Sequence, residues 1–341
     1  MVAKPEVHRR AVIGNASSFW LHSTREDRFD LTHPQSPHLS APVSPRLDIT
    51  TTTTPITVDP SKTALVVIDM QNFFLSESFG RQKGAGHLAS GQLKNNAIPA
   101  CRKAGIQICW VNWGLTDSDI DNMPPAIIRA FGFESVVDEE GSIDATTEQP
   151  EDGFKNSLDN ANGLEHDVTP PQAPDRILEN GKNGRIYKGL GSQCGSILVD
   201  GKEIDAGRLL MRDQWNSALH PPLDSIYEEG RKQILKPDVW LHKNRMSGMW
   251  GPKTEMEEFL EREGIRTLLF AGVNTDQCVS GTVTDCFSKG YDCVLLSDGC
   301  GTTSPGFAQE CVEFNAAKNW GFVATCVDLA RGVEEMLARG K

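Results

Sequence analysis

Six short apolar runs recur along the chain, and helical patterns separate most of them. The runs cover residues 63–69, 106–111, 239–242, 267–271, 291–297 and 321–326. Apolar residues at helical spacing occupy 88–104, 253–263, 279–290, 305–318 and 327–339. Near-continuous apolar strands are typical of a parallel sheet that is covered on both faces. The pattern therefore predicts an α/β fold with three α/β/α layers around a six-stranded parallel sheet.

Two other segments lack this alternation. Residues 1–60 are rich in Ser, Thr, Pro and His, which predicts a largely irregular N-terminal arm wrapped over the core of its own or a neighbouring subunit. Within the arm, residues 47–58 predict a strand, which Pro55 restricts to a sheet edge. An insertion is predicted at about 132–220, because it begins with acidic residues, Asn, Gly and Pro and carries a hairpin at Asp200-Gly201. The predicted division is an arm at 1–60 and a main domain at 61–341.

Composition narrows the class of partner. The 341 residues include 34 Lys and Arg and 46 Asp and Glu, so the net charge is −12. This charge argues against nucleic acid, which requires a basic face. No run approaches the roughly 20 apolar residues that span a bilayer, and the polar N-terminus lacks a signal-peptide core. We therefore expect a cytoplasmic protein that acts on small molecules, with no membrane partner.

Cysteine and histidine are scattered. The nine cysteines form no CxxC pair, and the eight histidines form neither an HExxH motif nor an Asp-x-His cluster. Without a secretory signal, a disulfide framework is not expected. The pattern also predicts no protein-built metal site and no cofactor.

Three ionisable side chains lie at predicted strand ends, namely Asp69, Lys243 and Cys278. Ligands of open parallel sheets bind outside the carboxyl ends of the strands. Cys278 begins a helix, where the dipole is expected to lower the thiol pKa, and Lys243 adds positive charge. Asp69 is suited to accept the thiol proton and return it to a leaving amine. The alternative for Cys278 is a small buried apolar residue, and for Asp69 a helix or turn cap.

The motifs VVIDMQN, LHKNRMSG, AGVNTDQCV and LLSDGCGTTS, in this order, resemble those of the isochorismatase-like cysteine hydrolases. The resemblance extends over residues 60–341, interrupted at 132–200. It implies a catalytic triad of Asp69, Lys243 and Cys278 and a strand order of 3-2-1-4-5-6. It also implies a cis peptide between Val273 and Asn274, and an oxyanion hole formed by the N–H groups of Asn274 and Cys278. We also expect a homodimer or a homotetramer.

The presence of a cysteine favours cleavage of a C–N bond in a small amide, ureide or carbamoyl compound through a thioester. LHKNRMSGMW resembles the ureidoacrylate and biuret hydrolase branch, in which Arg245 or its neighbours would bind a carboxylate or ureido oxygen. Arg245 could instead pair with a structural carboxylate such as that of Asp276 or Glu255. The predicted pocket walls, for whose aromatic members core packing is an equal alternative, are Asn72, Phe74, Trp113, Trp250 and Gln277.

Two other functions stay open at this point. Isochorismatases proper cleave a vinyl ether, for which Asp69 would be needed and Cys278 would not. A non-catalytic binding protein could also retain this fold. A metal-dependent nicotinamidase is disfavoured, because WVNWGLTDSD after the second strand lacks the histidine of the Asp-x-His cluster found in those relatives.

Overall fold

A computed structural model describes residues 10–16, 18–36, 45–132, 134–136, 185–187 and 189–340. Within these residues the strands lie in four sheets. In chain order the strands are β1 (Arg10–Gly14), β2 (Phe19–Ser23), β3 (Arg28–Leu31), β4 (Leu47–Ile49), β5 (Ile56–Val58), β6 (Thr63–Ile68), β7 (Gln107–Trp113), β8 (Glu134–Val136), β9 (Arg185–Tyr187), β10 (Ser196–Val199), β11 (Lys202–Asp205), β12 (Val239–Lys243), β13 (Thr267–Val273), β14 (Asp292–Gly301) and β15 (Gly321–Ala324).

Helices connect most of these strands. They are α1 (Asn72–Leu75), α2 (Ala85–Gln92), α3 (Ile98–Ala104), α4 (Asp117–Asp121), α5 (Pro125–Phe131), α6 (Leu223–Gly230), α7 (Glu255–Arg262), α8 (Ser280–Ser288), α9 (Gly306–Asn315) and α10 (Cys326–Arg339). A π-helical turn, Thr275–Val279, leads from β13 into α8. Among the described residues, no helix combines the length and the apolar content that crossing a lipid bilayer requires.

The central sheet has six parallel strands in the order β12-β7-β6-β13-β14-β15. Numbered along the chain, this order is 3-2-1-4-5-6, which confirms the prediction. Alternate residues of β6 face two separate apolar clusters, with Val66 in one and Val67 in the other. Burial of both faces explains why these strands are continuously apolar. The strand order reverses between β6 and β13, which is the position at which open parallel sheets bind their ligands.

The N-terminal arm is more regular than its composition predicts. It forms a second sheet in the order β1-β2-β3-β5-β4, and the single edge strand predicted at 47–58 is instead the antiparallel pair of β4 and β5. Thr and Pro obscured short alternating patterns, in which Leu31, Ile56 and Val58 are buried against the main core. The division of the chain at residue 60 stays a prediction.

Asp292, at the start of β14, connects the arm to the central sheet. Its carboxylate accepts a hydrogen bond from Trp20 Nε1 at 2.7 Å and lies 2.6 Å from His33 Nε2. Thr267 Oγ1 of the neighbouring strand donates to the same carboxylate at 3.1 Å. These contacts fix the arm on the sheet edge away from β12.

Most of the predicted insertion lies outside the described residues. Its C-terminal part contains the predicted hairpin, because β10 and β11 pair antiparallel. Asp200 and Gly201 form the turn, both with positive φ. The hairpin prediction is therefore confirmed.

Candidate active site

Three ionisable side chains converge at the carboxyl ends of the central strands. Asp69 follows β6 directly, Lys243 is the last residue of β12, and Cys278 lies in the π-helical turn after β13. Lys243 extends from a strand that is not adjacent to β6, and it passes over the end of β7. The convergence therefore depends on the strand order rather than on proximity in sequence.

The Lys243 ammonium contacts the other two groups directly. Its Nζ lies 2.9 Å from Asp69 Oδ2 and donates a hydrogen bond to Cys278 Sγ at 3.4 Å. It also donates to the backbone oxygens of Arg245 and Met246, both at 3.1 Å. The exposed fractions of Asp69, Lys243 and Cys278 are 0%, 4% and 6%. The ammonium is thus held in a fixed position in a medium that strengthens its electrostatic interactions.

The end of β7 completes the surroundings of Asp69. The Trp113 N–H donates to Asp69 Oδ1 and to Gln71 Oε1, at 3.1 Å each. The Trp113 ring lies beneath the ammonium, with 4.0 Å between Lys243 Nζ and the ring centroid. Trp113 therefore supports both charged partners, one through its backbone and the other through its ring.

Gln71 is a positioning residue that the sequence analysis did not identify. Its Nε2 donates to the backbone oxygens of Trp113 at 2.8 Å and Ser217 at 2.6 Å. Together with the bond from the Trp113 N–H, these contacts join β7 to the C-terminal part of the predicted insertion. Gln71 lies within the VVIDMQN motif, but an uncharged side chain gave no sign of a role there.

Burial controls the protonation of the cluster. Burial raises the pKa of Cys278 to about 12, against the attraction of Lys243, and the neighbouring Asp69 raises it further. Burial also raises the pKa of Asp69, although Lys243 opposes this shift. The expectation of a lowered thiol pKa is therefore wrong, because desolvation and the nearby Asp69 carboxyl outweigh the attraction of Lys243. Burial therefore favours the thiol form of Cys278, and the Asp69 carboxyl group lies beside the same ammonium.

The backbone between β13 and Cys278 has the predicted geometry. The Val273–Asn274 peptide is cis, as the resemblance implied. Gly272, just before it, has a φ of +121°, and a Cβ at this position would collide with the carbonyl oxygen of Ile68. Glycine is thus required for β6 and β13 to approach closely directly below Asp69.

Three of the predicted pocket residues, Trp113, Asn72 and Phe74, lie in β7 and α1. Trp113 contacts the cluster directly, as described above. Asn72, the first residue of α1, donates from Nδ2 to the Trp215 backbone oxygen at 2.9 Å. Its Oδ1 is buried and has no hydrogen-bond partner among the described residues. Phe74 is half-buried and packs edge-on to Phe73.

The other three predicted pocket residues are Arg245, Trp250 and Gln277. The Arg245 guanidinium stacks on Trp250 at 4.8 Å and donates to the backbone oxygens of Asn244 and Asn122. Trp250 is 50% exposed, and Gln277 is exposed next to Cys278.

Neither alternative partner of Arg245 is bound to it. Glu255 pairs instead with Arg212 at 3.0 Å, and Asp276 accepts a hydrogen bond from Thr302 at 2.6 Å. The expectation of an ion pair with Asp276 or Glu255 is therefore wrong. The backbone oxygen of Arg245 does contact the cluster, since it accepts a hydrogen bond from Lys243. Within the described ranges, no group of three or more His, Cys, Asp or Glu side chains is arranged to hold a metal ion.

The sheet order and the buried cluster at its reversal define an α/β protein of the doubly wound type with a site at the strand ends. A family model described as the isochorismatase domain matches residues 208–325. The ureidoacrylate amidohydrolase RutB of Caulobacter segnis is 27% identical over 282 residues, which cover 80% of this chain and 87% of that protein. The RutB of Rhizobium rhizogenes is 26% identical over 286 residues, which cover 82% and 87%.

A solved structure has a similar fold. A cysteine hydrolase from Pseudomonas syringae pv. phaseolicola 1448A superposes with a TM-score of 0.50 at 15% identity, covering 86% of this chain and 100% of that one. The match to the isochorismatase domain lies within residues 208–325, and over 80–82% of its length the chain is similar to proteins named as amidohydrolases.

Proposed function

We propose that the protein is a cysteine hydrolase that cleaves a C–N bond of a small amide, ureide or carbamoyl compound through a thioester. The observation that carries this proposal is the contact of one buried ammonium, that of Lys243, with both the Asp69 carboxylate and the Cys278 thiol. The two relatives named ureidoacrylate amidohydrolase support the same reaction class.

In the first half of the reaction, Cys278 Sγ attacks the substrate carbonyl carbon while its proton passes to Asp69. This coupling is required because the raised pKa of Cys278 leaves little free thiolate near neutral pH. The Lys243 ammonium stabilises the developing sulfur anion and positions the carboxylate beside it. The carbonyl oxygen becomes an oxyanion, which the N–H groups of Asn274 and Cys278 are proposed to bind. The C–N bond then breaks, and Asp69 returns the proton to the departing nitrogen.

In the second half, water cleaves the thioester. Asp69 accepts a proton from the water as its oxygen attacks the carbonyl carbon. The C–S bond breaks, and the thiol of Cys278 regains its proton. Overall, one amide bond and one water give one acid and one amine or ammonia. Trp113 and Gln71 hold Asp69 in place throughout, through the hydrogen bonds described above.

The test compares two cysteine variants on a panel of amides and ureides, with ammonia release as the readout. Cys278→Ala is expected to lower kcat/KM by at least about 1000-fold, because it removes the proposed nucleophile. Cys311→Ala, at an exposed cysteine on α9, serves as the matched control and is expected to retain wild-type activity. Mass spectrometry of rapidly quenched wild-type enzyme should detect an acyl group on the peptide that contains Cys278.

Full turnover by Cys278→Ala would refute the proposal and would favour a reaction, such as vinyl-ether hydrolysis, that needs Asp69 alone. Failure of wild-type protein to release ammonia from any amide or ureide, together with no acyl adduct, would favour a binding protein.

A further inference from the structure

Thr282, in the first turn of α8, has a buried hydroxyl that bonds to two separate chain segments. Its exposed fraction is 0%. Its Oγ1 donates a hydrogen bond to the Cys278 backbone oxygen at 2.7 Å and accepts one from the Gly248 N–H at 3.1 Å. The first bond reaches the turn that carries the proposed nucleophile, and the second reaches the segment that follows Lys243. Thr282 therefore connects these two parts of the candidate site.

Residues 244–249, which we call the lysine loop, determine where the Lys243 ammonium lies. The backbone oxygens of Arg245 and Met246 each accept a hydrogen bond from Lys243 Nζ at 3.1 Å. A lysine side chain has a flexible stem, so the position of its ammonium depends on the acceptors around it. A shift of the lysine loop would therefore move the ammonium relative to Cys278 Sγ, which is 3.4 Å away.

The hydrogen bonds of the lysine loop and of Thr282 form a closed ring. On one side, the Lys243 ammonium is bound to the Met246 oxygen, and the Gly248 N–H two residues later is bound to Thr282. On the other side, Thr282 is bound to the Cys278 carbonyl, and the sulfur of the same cysteine is bound to the ammonium. The position of the ammonium beside the thiol thus depends on the Thr282 hydroxyl.

Packing places the lysine loop firmly between two helices. A Cβ on Gly248 would lie 2.9 Å from Val111 Cγ1 and 3.8 Å from Thr282 Cγ2, so the loop backbone lies directly against β7 and α8. At the other end of the loop, Asn244 Nδ2 donates to Asp119 Oδ1 of α4 at 2.5 Å. The loop is therefore bound to α4 by a side-chain hydrogen bond and to α8 by the bond to Thr282.

Thr284, on the same helix, shows what a helical threonine does without such a role. Its Oγ1 donates to the backbone oxygens of Ser280 and Gly281, at 3.0 Å each. Bonds of this kind to the preceding turn are common for threonine in helices. Thr282 differs because its hydroxyl also accepts an N–H from another element, and a buried N–H that loses its partner is costly. Thr284 is thus a matched control.

We propose that Thr282 is a positioning residue, which holds the Lys243 ammonium beside the Cys278 thiol by fixing the lysine loop to the turn that carries the cysteine. The inference rests on the proposed hydrolase function and adds a residue that the reaction as described does not include. Thr282 acts through the Gly248 N–H and the Cys278 carbonyl and takes no part in bond making or proton transfer.

The first test needs no turnover and measures the rate at which iodoacetamide alkylates Cys278. Lys243 lowers the pKa of this thiol against the effect of burial, so an ammonium that moves away leaves less thiolate. Thr282→Val removes the hydroxyl and is expected to slow alkylation by about tenfold between pH 7 and 9, the effect of about one pKa unit. Mass spectrometry follows the modification, with the exposed Cys311 as the internal reference.

The direction of the change separates positioning from a general loss of structure. Loosening of the fold would expose Cys278, whose exposed fraction is 6%, and would speed its alkylation. Thr282→Ser, which keeps the hydroxyl, and Thr284→Val are expected to stay within about twofold of wild type, because both retain the bond to Gly248. Thr282→Ala replaces Thr282→Val if the valine variant does not fold, as judged by circular dichroism. An unchanged or faster rate in the variant without the hydroxyl, or equal slowing in Thr284→Val, would overturn the proposal.

The second test measures ammonia release from the amide or ureide of the panel that wild type cleaves fastest. Thr282→Val is expected to lower kcat by about 10- to 100-fold, the cost of misplacing a catalytic group, while KM stays within about threefold. Thr282→Ser should restore kcat, and Thr284→Val should retain it. A loss that appears in KM with kcat unchanged would reject the positioning role. Slower Cys278 alkylation in Thr282→Val, in a protein whose wild type releases no ammonia, would retain the positioning role and reject the hydrolase.

Discussion

Lys243 balances two acidic groups in a place where water cannot solvate them. Its ammonium is bound by the Asp69 carboxylate, the Cys278 sulfur and two backbone oxygens. The ammonium and the carboxylate would each be costly to bury alone. Removal of one of them leaves the charge of the other without a counter-ion. The cluster is therefore expected to act as a unit in both stability and catalysis.

Replacement of the lysine tests this expectation. Lys243→Met keeps the length of the side chain but leaves the Asp69 carboxylate buried without a cation. We expect a loss of about 3 kcal/mol in the free energy of unfolding near neutral pH, together with loss of hydrolysis. Urea unfolding followed by circular dichroism measures the first effect, and ammonia release measures the second.

The stability difference between wild type and Lys243→Met is expected to depend on pH. The pKa of Asp69 is already raised by burial, and Lys243 opposes that rise, so the variant should raise it further. A carboxyl group whose pKa is raised in the folded state destabilises the protein at pH values above that pKa, where it is ionised. This destabilisation decreases as the pH falls through the folded-state pKa and the group becomes protonated. The stability difference between wild type and Lys243→Met should therefore shrink as the solution is acidified. Adding Asp69→Asn should restore part of the lost stability at neutral pH, and no such recovery would contradict the account.

At the scale of elements, the site depends on how closely β6 and β13 approach each other. Their residues pair in parallel from Thr63–Thr267 to Ile68–Gly272. Directly beyond this last pair, the chain continues to Asp69 on one side and to the turn that carries Cys278 on the other. The close approach at Gly272 thus determines the relative position of the proposed base and nucleophile.

Gly272→Ala is expected to lose both stability and activity. A Cβ would collide with the Ile68 carbonyl oxygen, and alanine is unfavourable at a φ of +121°. We expect a loss of about 3 kcal/mol or more in the free energy of unfolding, the upper part of the range for overpacking. Thermal unfolding and ammonia release together provide the measurement.

Gly264→Ala is the matched control, since Gly264 also has a positive φ, of +65°, but has open space around its Cβ position. This variant should lose only about 1 kcal/mol, the conformational cost alone, and should retain its activity. Similar losses in the two alanine variants would mean that the approach of β6 to β13 is not critical.

Across the whole molecule, buried thiols make stability sensitive to alkali. Burial raises the pKa of seven of the nine cysteines, namely Cys101, Cys109, Cys278, Cys286, Cys293, Cys300 and Cys326. Below a pH of about 8.5 these thiols are protonated in both folded and unfolded chains. At higher pH the unfolded chain loses their protons and the folded chain keeps them, so unfolding releases protons and the free energy of unfolding decreases.

The free energy of unfolding is therefore expected to fall steeply above a pH of about 9. Each buried thiol contributes up to about 1.4 kcal/mol per pH unit to the slope. Cys109→Ala, which removes one such thiol, should reduce the slope by up to that amount, whereas the exposed Cys311→Ala should leave it unchanged. Urea unfolding under reducing conditions between pH 8 and 10.5 provides the measurement. Equal slopes of the free energy of unfolding against pH in wild type and Cys109→Ala would contradict the prediction.

The sequence by itself determined the central sheet. Strands such as β6 and β13 are buried on both faces, so nearly every residue in them is apolar and their periodicity is plain. The family motifs added the strand order and the cis peptide, and they singled out Asp69, Lys243 and Cys278 because charged or reactive side chains at strand ends stand out against apolar runs. The catalytic roles of these residues, the cytoplasmic location and the homodimer or homotetramer stay predictions.

Tertiary structure alone decided the properties that depend on surroundings rather than on residue type. The raised pKa of Cys278 follows from complete burial beside Asp69, and a helix start read from sequence predicts the opposite shift. The arm forms a sheet because its short strands meet partners and an apolar core that are distant in sequence. Gln71 follows the same rule, since an uncharged side chain among motif residues carries no local sign of the hydrogen bonds that it makes with Trp113 and Ser217.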